Sequence, residues 1–208
     1  MEQIITKKYI KKFLPTKPII LESGANKGVD TIKMLKHLDP IKIYAFEPVD
    51  YLYNKLVNNT KEFKDIIETF NIALSNKSGI SDFYISSGES LAVSSLLKPV
   101  KYLEDHPDTK FTLTKINTIT IDEWASKNNI KYIDFLWLDM QGAEIMALEK
   151  AQTIINKVKA IFIEASLKER FKNNPLVDDV KNFMHNYNFK LDCYDKIKNG
   201  KVNLLFVR

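Results

Sequence analysis

Along the chain, short unbroken apolar runs alternate with stretches in which apolar residues recur every three or four places. Residues 18–23, 41–46 and 66–74 read as buried strands. Between them Val29, Ile32, Leu35 and Leu38, then Leu52 and Leu56, keep helical spacing, and Asp39-Pro40 stops the first of these helices. Such alternation predicts a parallel sheet covered on both faces. The pattern returns after residue 120. Asp122 is placed to cap a short helix through Trp124, and a strand over 132–138 ends at Asp139. Gly142 opens a helix carrying Ile145, Leu148, Ala151 and Ile155, and a strand over 158–163 ends at Glu164. Pro175 starts an amphipathic helix with Leu176, Val180, Phe183, Met184 and Tyr187 at core spacing. Residues 80–120 break the regularity: strand-like runs at 81–86 and 111–119 flank a polar stretch, and the whole is expected as an irregular insertion over the cleft. In the tail, two strand-like runs flank Asn199-Gly200, which tolerates positive φ at both corners of a tight turn. The expectation is one α/β domain over 1–208 with a helical segment at 1–17. Its sheet is seven-stranded and mostly parallel, with helices on both faces, and closes in an antiparallel hairpin.

The chain is 208 residues long and 45% hydrophobic, enough for one real core. Its net charge of +5 invites a polyanionic partner, but Arg170 and Arg208 are the only arginines among 31 basic residues. Bidentate reading of phosphate and guanine leans on arginine, so nucleic acid is not the expected partner. Lys7, Lys8, Lys11 and Lys12 instead read as the solvated face of a helix whose other side carries Ile5, Tyr9 and Phe13. A single cysteine, Cys193, leaves no internal disulfide or zinc cluster and points to a reducing, cytoplasmic setting. No apolar window approaches the roughly 18 residues of a membrane span.

The stretch ILESGANKGVDT carries the chemistry. Gly24 and Gly28, with Ala25 and Asn26 between them, form a turn after the first strand, where glycine lets backbone N–H groups approach a ligand. Glu47, before Pro48 at the end of the second strand, sits 19 residues after Gly28, near the offset at which a carboxylate accepts both hydroxyls of an adenosine ribose. Glu22, two places before the first glycine, would repel the diphosphate of a dinucleotide. It would attract the sulfonium and ammonium of S-adenosylmethionine, the cofactor this turn therefore predicts, with S-adenosylhomocysteine as product. Asn26 and Thr31 are placed to reach the methionine carboxylate or to cap the following helix, and Asn71, Ile72 and Ala73 to meet the adenine. Asp139 and Glu164, at carboxyl ends of central strands, are the candidate catalytic bases, and Asp139 is also a candidate for the methionine ammonium. Asp139, Glu144 and Glu164 form an oxygen-rich set of the kind that holds magnesium or calcium, but spacing alone does not assign a metal. His106, in the insertion, is an outlying candidate for substrate contact.

Five stretches in order, ILESGANKG, YAFEPV, VSSL, NTITIDEW and IDFLWLDMQGAE, resemble the FkbM-type methyltransferases, whose patterns run approximately DxGAxxG, FEP, SSL, TLD and KIDVEGxE. The resemblance spans about residues 19–166. It implies a Rossmann-like class I methyltransferase fold, S-adenosylmethionine as donor, and O-methylation of a hydroxyl, often on a sugar or polyketide. It also implies that Ser94 and Ser95 lie on the loop over the cofactor, and that Glu144 fills the motif's last acidic place. Family members are sometimes joined to glycosyltransferases, so a link to such a system is expected. Three residues depart from the pattern: Glu22 for Asp, Trp137 for Lys and Gln141 for Glu. The leading expectation is an O-methyltransferase acting on a glycan or sugar-containing small molecule. An RNA methyltransferase using the lysine excess, or a non-catalytic module keeping the fold to bind a partner, are the alternatives.

Overall fold

The computed structural model describes residues 1–195, 197 and 199–208. Lys196 and Lys198, within the stretch expected to join the last two strands, lie outside the described residues. A one-turn helix, α1 (Lys7–Ile10), precedes β1 (Ile19–Ser23), α2 (Val29–Leu38) and β2 (Lys42–Phe46). Then come α3 (Asp50–Thr60), β3 (Ile67–Phe70) and β4 (Ala73–Leu74). The middle holds β5 (Gly79–Gly88), α4 (Tyr102–Asp105), β6 (Thr109–Ile119) and α5 (Ile121–Lys127). The rest is β7 (Phe135–Leu138), α6 (Glu144–Leu148), β8 (Ala160–Ser166), α7 (Val177–Asn186), β9 (Lys190–Tyr194) and β10 (Lys201–Val207).

Seven strands form one sheet in the order β3-β2-β1-β7-β8-β10-β9, parallel from β3 to β8 and antiparallel through β10 and β9. The order reverses between β1 and β7, which places a crevice at their carboxyl ends. Asn199 and Gly200 both take positive φ before β10, as their dipeptide predicts. Period-two alternation splits the core. Leu21, Phe46, Leu136, Leu138 and Ile161 face a large cluster with Trp124 and Leu148, whereas Ile20, Ile43, Phe135, Trp137 and Phe162 face α1 and α2 through Ile10, Met34 and Leu38. Tyr44, Phe46 and Phe70 surround the Trp124 indole at centroid distances of 4.9 to 5.5 Å.

Several local expectations are corrected. The run at 66–74 is two strands: β3 belongs to the main sheet, and after Asn71 and Ile72 the chain changes sheets, with β4 pairing β6. The insertion at 80–120 is regular at its base, where β5 and β6 pair antiparallel over ten positions and form a second sheet ordered β4-β6-β5. Glu164 lies inside β8 rather than at its end, because β10 continues the pairing to Ser166. The Gly142 helix is short, ending at Leu148, and Pro175 stands two places before α7.

Asp122 does not cap α5. The N-cap is Thr120, whose hydroxyl accepts the Glu123 N–H at 3.2 Å, while the Asp122 carboxylate accepts the N–H groups of Thr153 and Ile154 at 2.7 and 3.0 Å. Both residue types satisfy helix-end donors, so the sequence alone did not separate them. Thr120→Ala should lower unfolding stability by about 1 kcal/mol, measured as the shift in a urea midpoint at constant slope.

Candidate active site

A cleft of about 420 Å³ opens at the switch point between β1 and β7, with residues of the glycine turn, the ends of β2 and β7, and the insertion on its walls. Of the residues expected at the site, Glu22, Gly24, Ala25, Asn26, Glu47, Pro48, Ala73 and Asp139 line it. The other six do not. Gly28 is the left-handed N-cap of α2, and a Cβ there would meet Leu56 Cδ1 at 2.9 Å, so its smallness serves packing against α3. Thr31 is fully buried and donates its hydroxyl to Glu22 at 2.5 Å. Asn71 donates to the carbonyls of Glu47 and Pro48, bracing the β2 end from outside, and Ile72 packs on the large core cluster. Ser95 bonds the Gln141 carbonyl and is 1% exposed, whereas Ser94 beside it lines the cleft. Glu164 lies in a neighbouring cavity.

Gly24 explains how the first wall is built. Its φ is +83°, and a Cβ there would lie 1.9 Å from the Asp139 carbonyl oxygen. The chain passes so near the β7 end because Asp139 N–H donates to Ser23 O at 3.0 Å, one step past the β1–β7 pairing. Beyond Gly24 the turn swings Asn26 N–H onto Glu47 Oε2 at 2.8 Å, and Val49 N–H reaches Oε1 at 2.9 Å. Glu47 is thus held by two backbone donors, with carboxylate lone pairs left over for hydroxyls.

Three carboxyls around this cleft sit well above their ordinary range. Burial first, opposed by the Thr31 hydrogen bond, pushes Glu22 up to about 8. Burial likewise takes Glu47 to about 7 against its two backbone donors. Asp139 rises to about 7, by burial and then by the charge of Glu164, opposed by Lys201 and the Gln141 amide. Such a set is partly protonated near neutral pH and ionises further when a cation comes to it. Their chemistry therefore fits a cationic ligand and opposes an anionic one. Glu144 is likewise pushed up to about 8 by burial, against its backbone donors, but it does not line the cleft. Its carboxylate accepts the N–H groups of Met140 at 2.7 Å and Gly142 at 3.2 Å and serves the turn before α6. Among the described residues, no group of three or more His, Cys, Asp or Glu side chains is gathered as for a metal ion.

Two features escaped the sequence reading. Gln141 Nε2 donates to Asp139 Oδ1 at 2.7 Å and to Glu164 Oε2 at 3.1 Å, so one amide links the two candidate bases. Lys201, from β10, donates to Glu164 Oε2 at 2.6 Å and to Gln141 Oε1. Nothing local marks a lysine at the start of a C-terminal strand; only the β8–β10 pairing brings it there. On the other side, Lys7 of α1 bonds Asp30 Oδ1 at 2.8 Å and sits over the Trp137 ring, which stacks on Phe162 at 3.6 Å between centroids. Trp137 lines the cleft while also belonging to the core.

Strand order, crevice and carboxylate set define a Rossmann-like class I methyltransferase domain. The chain belongs to the FkbM methyltransferase family: the model of the methyltransferase FkbM domain matches residues 22–191. S-adenosylmethionine is the methyl donor of this family. The 2-O-methyltransferase NoeI of Sinorhizobium fredii (strain NBRC 101917 / NGR234) is 27% identical over 161 residues, 74% of this chain and 66% of that protein, so the chain spans just under two thirds of that relative. Among solved structures, M. capricolum TrmK in complex with S-adenosyl-homocysteine superposes with a TM-score of 0.54 at 10% identity, covering 100% of this chain and 69% of that one. The Methanococcus jannaschii fibrillarin pre-rRNA processing protein gives 0.55 at 12% identity, covering 99% and 69%. These two likenesses concern the fold. No helix among the described residues is long and apolar enough to cross a membrane.

Glu22 loses its proton near pH 4.5 in the unfolded chain and near pH 8 in the folded one. Between those values the folded state binds the extra proton, so this contribution to stability is whole below the lower value and is lost as pH rises toward the upper. Glu22→Gln should therefore flatten the fall in urea midpoint of the cofactor-free chain between about pH 5 and pH 8. An unchanged slope would mean that Glu22 is ionised throughout.

Proposed function

We propose that the chain methylates a hydroxyl oxygen on a sugar or sugar-containing acceptor, with the donor in the cleft between β1 and β7. The observation that carries this reading is the set of three carboxyls, Glu22, Glu47 and Asp139, gathered on the walls of one crevice with no cation among the described residues in contact. Glu47 would take the ribose hydroxyls on its remaining lone pairs, and Glu22 and Asp139 the positive end of the methionine. When bound, S-adenosylmethionine supplies a methyl carbon already activated by its sulfonium. The chain's own residues then have two tasks: to hold the acceptor oxygen in line about 3 Å from that carbon, and to receive its proton. Asp139 is placed on the cleft wall for the second, with Glu164 joined to it through Gln141. The similarity to a 2-O-methyltransferase and the scarcity of arginine favour a sugar hydroxyl over a nucleic acid.

The test is incubation with methyl-labelled S-adenosylmethionine and separate pools of glycan, RNA and small metabolites. Label should enter the glycan or sugar-containing pool. Entry into RNA alone would overturn the acceptor, and label in no pool would favour a binding module. In parallel, Glu47→Gln should weaken S-adenosylhomocysteine binding at least about tenfold by calorimetry, since it trades an anionic acceptor for a neutral amide at the ribose position.

A further inference from the structure

A second cavity, of about 340 Å³, adjoins the cleft on the β8–β10 side. The two share a wall one side chain thick: Gln141 Nε2 touches Asp139 of the first cavity and Glu164 of the second. Strand alternation builds the floor. Asn203 pairs directly with Glu164 across the antiparallel ladder, and Lys201, two residues earlier on the same face, reaches Glu164 diagonally. The insertion supplies the other side through Ser90, Tyr102 and His106, whose rings stack at 4.7 Å and 25°.

Among the described residues the cations of this cavity are already paired. Lys201 is paired with Glu164, and Arg170, 3% exposed, has Asp105 at 3.1 Å and donates to the Asn199 carbonyl, its Nε keeping, among the described residues, an N–H free for a hydroxyl. His106 faces Glu89 at 3.2 Å, and both Asp195 oxygens accept from Asn203. The described residues therefore place no spare cation for a phosphate or carboxylate. They do leave hydroxyl-binding groups: Ser90 Oγ accepts from the Tyr102 hydroxyl at 3.1 Å and keeps its own proton to donate, beside the amides of Asn199 and Asn203. Balanced ion pairs, neutral amides and an aromatic wall suit a ring bearing several hydroxyls and no net charge.

Resting on the methyltransferase reading, we propose that this cavity seats the acceptor and that its ligand is a neutral polyhydroxylated ring, with the hydroxyl to be methylated directed past Gln141 toward Asp139. Among the described residues both cations of the lining are already in ion pairs, which favours a neutral ligand over an anionic one.

Protein-observed amide NMR of the full chain saturated with S-adenosylhomocysteine tests this. The probes are methyl glycosides of a neutral hexose, a deoxyhexose and an N-acetylhexosamine, against glucuronate and glucose 6-phosphate, each up to about 50 mM, a range that detects Kd values in the millimolar class. A neutral glycoside should shift the amides of Ser90, Asn199 and Asn203. Ser90→Trp, which fills the cavity, should abolish those shifts, whereas Ser90→Ala, which leaves it open, should weaken binding no more than a few-fold. S-adenosylhomocysteine shifts at residues 24–26 should persist in both variants and serve as the folding control. The proposal is overturned if no neutral probe shifts the cavity amides, if binding survives Ser90→Trp, or if an anionic probe binds tenfold tighter than every neutral one. Absence of S-adenosylhomocysteine shifts at 24–26 in the parent chain would sink the cofactor placement and this proposal with it, and that failure falls on different residues from the others.

Discussion

The cleft depends on the passage of the Asp139 carbonyl beside Gly24. Any side chain at position 24 would collide with that carbonyl, and the positive φ there is one that residues with a Cβ avoid. Without this approach β1 and β7 could not both end at the same level, and the carboxylates at their ends would not converge. The same turn carries Asn26 N–H to Glu47, so the end of the neighbouring strand is fixed by the residue two places on. One missing methyl group thus sets the relative positions of Glu22, Glu47 and Asp139, which come from three adjacent strands.

Placing three carboxyls in a low-dielectric crevice has a cost that the fold offsets only in part. Thr31 satisfies one oxygen of Glu22, two backbone donors hold Glu47, and the Gln141 amide holds Asp139. None of the three makes a contact ion pair among the described residues; Lys7, whose charge bears on Glu22, is bonded to Asp30, and Lys201, whose charge bears on Asp139, is bonded to Gln141 and Glu164. Direct ion pairs would stabilise the cofactor-free chain, but they would also remove the attraction for a positively charged ligand. Elevated carboxyl pKa values at a crevice are the signature of a site kept short of its counter-charge.

The parts of this arrangement visible in the sequence are those governed by local rules. A glycine turn after an apolar run, and acidic residues where apolar runs stop, report strand ends directly, which is why Glu22, Glu47 and Asp139 could be named in advance. Where the outcome depended on pairing across long separations, the sequence was silent or misleading. Residues 66–74 read as one apolar run broken only by a few polar residues, and Asn71 alone does not show that the chain leaves one sheet for another there. Ser94 and Ser95 are chemically identical, and only the backbone bonds between Ser95 and Tyr84 decide which hydroxyl turns inward to Gln141. Lys201 was invisible for the same reason. Its partner Glu164 lies 37 residues away, and the register that joins them exists only once β10 is laid antiparallel on β8.

Gln141 shows how such a long-range feature rationalises a departure from the family pattern. A glutamate there would stand between Asp139 and Glu164, adding a third negative charge to two carboxylates, with Lys201 as the nearest cation. The amide avoids this because it is donor and acceptor at once: its nitrogen serves both carboxylates and its oxygen takes the ammonium. Its backbone, at φ +54°, and Gly142, at φ +96°, make the tight bend that turns the side chain back over the strand ends. With the amide in place, Lys201 can bias the protonation of Asp139 without touching it, and the wall between the two cavities remains polar on both faces.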